Sequence, residues 1–270
     1  MPMAAVHHWI VVLDIESFSA RSDPLQRSLR AAMYDVLHAA VEQAGIPGDA
    51  LSTEDRGDGV LILFQAQVPP VQLAGALVRA LDDCLREKAA VFSEAHAMRF
   101  RVALHQGLVS RDARGWSGDA VNTAFRLVDA APLRDVLSAA GRARLAFIAS
   151  DEVYRAVIRH DHRTVDPAAY LPVTFEAKHG VEITGWVTVP GYPSPPGLAP
   201  GAGAPGTGTP RSGTYAAGAP GAPSPAGGGP AAPAERQGRP NVVFHIGEVH
   251  GDPVAGDKHV HHHSGGPVRP

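Results

Sequence analysis

A chain of 270 residues, 44% of them hydrophobic, has material for a core, while its formal charge of -3 provides no basic field to attract nucleic acid or anionic lipid. The single cysteine, Cys84, rules out an intramolecular disulfide and fits a reducing compartment. No apolar run approaches the roughly 18 residues of a membrane span, and the N-terminus lacks a basic segment followed by an apolar one, so a soluble cytoplasmic protein is expected.

The run Trp9-Ile10-Val11-Val12-Leu13 is long enough for one buried strand and ends abruptly in Asp14, ahead of a polar loop. Leu25, Leu29, Met33, Val36, Leu37 and Val41 then recur at helical spacing, with Gly45 as the expected C-cap. Ala50 to Glu54 and Val60 to Gln65 read as a hairpin around Gly57-Asp58-Gly59. Pro69-Pro70 opens a second helix bearing Leu73, Leu77, Leu81, Cys84 and Leu85, and Arg99 to Leu108 is the next strand. This order is the split βαβ arrangement of ferredoxin-like α+β folds, βαββαβ, with helices on one face of a mainly antiparallel sheet. After a polar, Gly-rich loop, Gly118 to Leu127 predicts a helix with Asn122 and Arg126 on one face. Leu145 to Ala149 is a short strand, and Asp151 to Ile158 a short helix with Ser150 as candidate N-cap. Val173 to Ala177 and Val181 to Val189 form a terminal hairpin, so residues 1–190 are expected to fold as one domain.

Residues 191–240 turn to Gly, Pro, Ala and Ser, a composition that cannot bury enough surface to offset the entropy of ordering, and they read as a disordered linker. Residues 241–270 differ again. Val242, Phe244 and Ile246 alternate, Val249 and Val254 extend the apolar pattern between glycines, and histidines cluster at His259, His261, His262 and His263. Such a segment suits in-register cross-β stacking, with Pro253 at a bend. A disordered tail, or one that chelates zinc or nickel, is the alternative.

Asp58 at a hairpin tip, between two glycines, is first of all turn chemistry when taken alone, and Asp14 ends a buried strand. If the two strands are neighbours, the carboxylates come together, and each raises the other's pKa unless a divalent cation sits between them.

With these motifs placed, residues from Trp9 to about Val189 resemble the class III nucleotidyl cyclases, the adenylyl and guanylyl cyclase catalytic domains. Asp14-Ile15-Glu16-Ser17-Phe18-Ser19 is similar to that family's first metal motif, Gly57-Asp58-Gly59 to its second, Arg101 to Gly107 to its conserved strand, and Gly118 to Leu127 to its Gly-x-x-Val-Asn-x-Ala-x-Arg-Leu element. The resemblance implies two Mg²⁺ or Mn²⁺ ions held by Asp14, Asp58 and the backbone carbonyl of Ile15, and a nucleoside triphosphate substrate whose ribose 3′-oxygen attacks the α-phosphorus. It further implies that Asn122 orients the ribose, that Arg126 stabilises the α-phosphate, and that Lys178 in the last hairpin binds the terminal phosphates. For these three, an N-terminal cap, a solvated helix face and a solvated turn are the ordinary explanations. His105 and Trp186 read as packing residues, and Glu16 and Asp55 as solvated carboxylates.

At the base-reading positions the resemblance points to Glu54, where guanylyl cyclases carry Glu and adenylyl cyclases Lys, and to Gly115, which matches neither base preference. A carboxylate can accept from guanine N1–H and its exocyclic amine together, which favours GTP; it can also accept from cytosine, so CTP and UTP stay open. The family builds each site across a homodimer, with Asp14 and Asp58 from one chain and Glu54, Asn122, Arg126 and Lys178 from the other. A catalytically silent nucleotide-binding or adaptor module is the competing expectation. The tail, Asn241 to Asp257, resembles the amyloid signalling motifs at the ends of bacterial effector proteins, which implies recruitment to a partner protein bearing a similar motif.

Overall fold

The computed structural model describes residues 4–177 and 180–198. Its sheet runs in the order β2-β3-β1-β4-β6-β8-β7, formed by β1 (Val6–Ile15), β2 (Leu51–Asp55), β3 (Gly59–Gln65), β4 (Phe100–Asp112), β6 (Leu145–Ser150), β7 (Leu171–Ala177) and β8 (Val181–Thr188). A short β5 (Gly115–Ser117) pairs with the far end of β4. All pairings are antiparallel except β4 with β6. The first four strands with α1 (Asp23–Gln43) and α2 (Val78–Val91) make the βαββαβ core.

Alternation along the strands decides which helix each face buries. Val11, Leu13 and Ile15 of β1 join Val60, Ile62 and Phe64 of β3 under α1 and α2, where Leu29, Met33, Leu37, Leu81 and Leu85 meet them. Thus the two core helices share one face, as the sequence predicts. The opposite residues, Ile10, Val12, Leu61 and Leu63, are covered by α3 (Asp119–Val128) and α4 (Ala131–Ala139), which lie outside the core motif. Asp14 belongs to this second face by its position in the alternation, and so does Glu54 of β2.

α1 ends where Gly45 was expected to stop it. The N–H of Gly45 donates to Glu42 O at 2.9 Å and that of Ile46 to Val41 O at 3.1 Å, the paired bonds that satisfy the last carbonyls of a helix. α2 is entered through a π-helical stretch, Gln72–Leu77, after the two prolines. α5 (Asp151–Ala156) is capped by Ser150, whose hydroxyl accepts from Val153 N–H. Cys84 is buried on α2, and burial pushes its thiol pKa up, so it is a packing residue. Beyond β8, Tyr192 and Leu198 pack against the second core. The linker and tail expectations for residues 199–270 lie outside the described residues. No helix among the described residues is long and apolar enough to cross a membrane.

Candidate active site

The end of β1 and the hairpin between β2 and β3 meet through the backbone. Asp14 pairs with Gly59 across the ladder, and the next amide, Ile15 N–H, donates to Asp58 O at 3.0 Å. The hairpin closes with Arg56 N–H donating to Gly59 O at 3.0 Å. Gly59 is required by close approach: a Cβ there would lie 2.3 Å from the Leu13 carbonyl oxygen. The three expected metal-site residues, Asp14, Ile15 and Asp58, are therefore adjacent.

Asp14 is 9% exposed, and burial pushes its carboxyl up to about 6. Arg101, opposite Asp14 on β4, pulls the other way through an ion pair in which its Nε donates at 2.9 Å, while the charges of Asp58 and Asp129 add to the rise. Arg101 had no role in the sequence reading. Its signal was present, because a lone arginine among Val102, Ala103 and Leu104 needs a partner, and antiparallel register supplies Asp14. These donors are hard oxygens, two carboxylates and a backbone carbonyl, which suit Mg²⁺ or Mn²⁺. A buried carboxylate held up in pKa beside a second one is also the environment that a divalent cation relieves. Among the described residues there is no cluster of three His, Cys, Asp or Glu side chains that could hold a metal ion.

Beside Asp58 lies a cavity of about 520 Å³, lined by Phe18, Ser19, Gln26, Arg27, Arg30 and Gly57 among others. Arg27 and Arg30 line it together with the carboxylates Asp23 and Asp58, and Arg30 is paired with Asp55. The hairpin is tied to α1 here. Asp55 accepts from Gly57 N–H at 2.8 Å and from Tyr34 O–H at 2.6 Å, and pairs with Arg30. Burial works against it, but these donors outweigh burial and hold Asp55 below its ordinary pKa. Glu16 pairs with Arg99 at 3.3 Å. Both carboxylates expected to be merely solvated are in fact ion-paired.

Glu54 and Gly115 come together as a second group. Glu54 Oε2 accepts from Trp116 N–H at 3.1 Å, Oε1 pairs with Arg56 at 2.9 Å, and a Cβ at Gly115 would sit 2.8 Å from Oε2. Arg56 in turn lies over the Phe125 ring of α3, 5.0 Å from its centroid. Asn122 is exposed on α3 and Arg126 half-buried, one turn apart. Asn122 is no N-cap, since Gly118 occupies that position. Arg126 lines a cavity of about 380 Å³ with Arg134, Asp129, Phe175, Glu176 and Ala177. Lys178, the next residue, lies outside the described residues. Among the described residues, no side-chain hydrogen bond or ion pair joins Asn122 or Arg126 to Asp14 or Asp58. His105 is a packing residue bonded to the Ser150 hydroxyl at 2.8 Å, and Trp186 stacks on Tyr154 at 3.5 Å between centroids.

No family model matches the chain, and no curated protein does. Solved structures do. The guanylyl cyclase Cya2 aligns over 70% of this chain and 94% of its own, at 14% identity and a TM-score of 0.50. The guanylate cyclase domain of RhGC from Catenaria anguillulae, in complex with GTP, aligns over 68% and 97% at 20% identity, TM-score 0.46. The catalytic core of a rhodopsin-guanylyl cyclase with converted specificity, in complex with ATPalphaS, aligns over 70% and 99% at 19% identity, TM-score 0.47. At such identities the likeness is one of fold alone, and the fold is the one that the guanylyl cyclase Cya2 shows.

Proposed function

We propose that this chain is a nucleotidyl cyclase that converts a nucleoside triphosphate, GTP by preference, into a 3′,5′-cyclic nucleotide and pyrophosphate as an intracellular signal. The observation that carries the reading is the Ile15 to Asp58 backbone bond, which sets Asp14 and Asp58 side by side at the end of a buried strand. In the reaction the ribose 3′-oxygen bonds to the α-phosphorus, the bond to the β-phosphate oxygen breaks, pyrophosphate leaves, and the 3′-hydroxyl proton passes to solvent.

Asp14, Asp58 and the Ile15 carbonyl would hold two Mg²⁺ or Mn²⁺ ions, which when bound acidify the 3′-hydroxyl and neutralise the triphosphate. Asn122 holds the ribose, Arg126 donates to the α-phosphate as charge develops there, and Lys178 binds the terminal phosphates. Glu54 accepts from guanine N1–H and its amine, and Gly115 leaves room beside that carboxylate. Because no side-chain hydrogen bond or ion pair among the described residues joins Asn122 or Arg126 to the aspartates, the complete site is assigned to a homodimer. The substrate puts the protein in the cytoplasm. Residues 1–190 are the cyclase domain, residues 191–240 a tether, and residues 241–270 a recruitment motif for a partner protein with a similar segment, its clustering favouring the dimer.

One observation favours a second reading, a catalytically silent nucleotide-binding or adaptor module: Arg101 already neutralises Asp14. Incubating the full chain with each of the four triphosphates and Mn²⁺, and identifying products by mass spectrometry, separates the two. A cyclic nucleotide from GTP is expected. Intact triphosphates throughout would leave the silent reading.

A further inference from the structure

A single carboxylate reads a base incompletely. Guanine presents two adjacent donors, N1–H and the 2-amine, and one acceptor, the 6-oxo group. Glu54 can satisfy the donors only, and the other base-reading position of the fold is Gly115, which has no side chain. A side chain could not be accommodated there without moving Glu54, since a Cβ at position 115 would lie 2.8 Å from its Oε2 and 3.1 Å from its Oε1. The donor for the 6-oxo group has to come from elsewhere.

We propose that Arg56 is that donor, so that Glu54 and Arg56 read guanine as an acceptor and donor pair. This rests on the cyclase reading above. Two contacts hold Arg56 beside Glu54: its guanidinium forms an ion pair with Glu54 Oε1 at 2.9 Å, and its Cζ lies 5.0 Å from the Phe125 ring centroid. Phe125 adjoins Arg126 in the sequence of α3, which ties the pair to the helix that handles the sugar and phosphate. The Glu54 carboxylate is anchored on its other side by Trp116 N–H, and Trp116 is itself flanked by Arg111, 5.2 Å from its ring, and by His8 edge-on. A guanidinium has five N–H donors, of which the ion pair with Glu54 takes one or two, so others remain for the base. Both side chains are partly exposed, at 36% for Arg56 and 28% for Glu54, so a base can reach them. Guanine alone presents two adjacent N–H donors for the carboxylate with an acceptor beside them for the guanidinium, whereas adenine, cytosine and uracil each present a single donor on that edge.

The test uses 3′-deoxy-GTP, which lacks the attacking hydroxyl, and 3′-deoxy-6-thio-GTP, which keeps both N–H donors and replaces the 6-oxo acceptor with the much weaker sulfur. Equilibrium dialysis of the full chain with Mn²⁺ should show the oxo nucleotide bound about tenfold more tightly, the scale of one charge-assisted hydrogen bond. In Arg56→Ala the ratio should fall to near one, and in Arg56→Lys it should be partly retained. If Arg56→Ala binds both nucleotides and keeps the tenfold ratio, Arg56 does not touch the base. If Arg56→Ala and Arg56→Lys weaken both nucleotides equally, Arg56 merely holds Glu54, and the proposal fails in that way instead. Absence of any GTP binding by the unaltered chain would overturn the cyclase reading itself, which these ratios distinguish from failure of Arg56 alone.

Discussion

His105 faces the side of the sheet that carries Asp14, with its Nδ1 2.8 Å from the Ser150 hydroxyl and 3.8 Å from Glu152, and only 7% of it is exposed. Burial lowers its pKa, and the Glu152 charge opposes that without overcoming it. The folded state therefore resists taking up a proton that the unfolded chain accepts near 6.5. Above that pH both states are neutral and nothing is lost. Below it the unfolded state binds more protons, so stability falls as pH drops, by up to about 1.4 kcal/mol per pH unit, until the folded histidine also titrates. Asp14, held up to about 6, works in the opposite sense below that pH, so the His105 contribution is read as the difference between the urea midpoints of wild type and His105→Gln, which should grow as pH falls from 7.5 to 5; a difference that stays constant with pH would remove His105 from the acid response. On the proposed function, Asp55 is a positioning residue for the metal carboxylate Asp58. By joining Gly57 N–H, Tyr34 and Arg30, it fixes the loop that presents Asp58 to α1. Asp55→Asn weakens two of these contacts, costing about 1 kcal/mol in loop placement, so the Mn²⁺ concentration for half-maximal activity should rise roughly fivefold while kcat at saturating metal changes little. A fall in kcat with unaltered metal dependence would mean that Asp55 does something else.

At the scale of elements, β1 meets the hairpin by a close backbone approach at Gly59. Gly59→Ala would press a methyl group onto the Leu13 carbonyl oxygen, a backbone atom that no rotamer change can move away. A loss of about 1–3 kcal/mol is expected, measured as a lowered melting temperature, with loss of metal-dependent activity as the strands separate; a variant of wild-type stability would mean that the hairpin can shift freely. The sequence exposes this region well, because apolar runs, Gly-Asp-Gly and helical spacing are local signals. It likewise marks α1 and its Gly45 stop. What it conceals is the partnering that only register creates. Arg101 with Asp14, Arg30 with Asp55 and Arg99 with Glu16 are separated by 87, 25 and 83 positions, and neither Asp55 nor Glu16 looks paired until the strands and helices are assembled. α4 escaped the reading because Ala131-Pro132-Leu133 follows α3 almost directly, and its apolar residues Leu133, Val136 and Leu137 are too few to form a distinct periodic stretch. β5 is three residues long and looks like loop sequence. The adjacency of Glu54 and Gly115 depends on that small strand, so the contact between them is a fact of tertiary structure only.

At the scale of the molecule, the question is why the residues of the proposed site fall into two separate sets. Asp14, Ile15 and Asp58 sit where β1 meets the hairpin, and Asn122 and Arg126 lie on α3, with no side-chain bond between the sets among the described residues. If a two-fold dimer brings the aspartates of one chain to α3 of its partner, each dimer holds two equivalent sites, and each site needs one contribution from either chain. Asp14→Ala and Arg126→Ala should then each be inactive alone, because every site in either homodimer lacks one group. A mixed dimer is different: one of its sites carries both defects and the other carries none. Random mixing makes half of the dimers mixed, each with one intact site of two, so about a quarter of wild-type activity should return in the unfractionated mixture and about half in isolated mixed dimers. The readout is cyclic nucleotide formed after co-refolding or co-expression of the two variants, with mixed dimers isolated by two affinity tags. Isolated mixed dimers without activity would mean that each chain closes its own site, and would remove the dimer from the mechanism while leaving the assignment of the metal carboxylates intact.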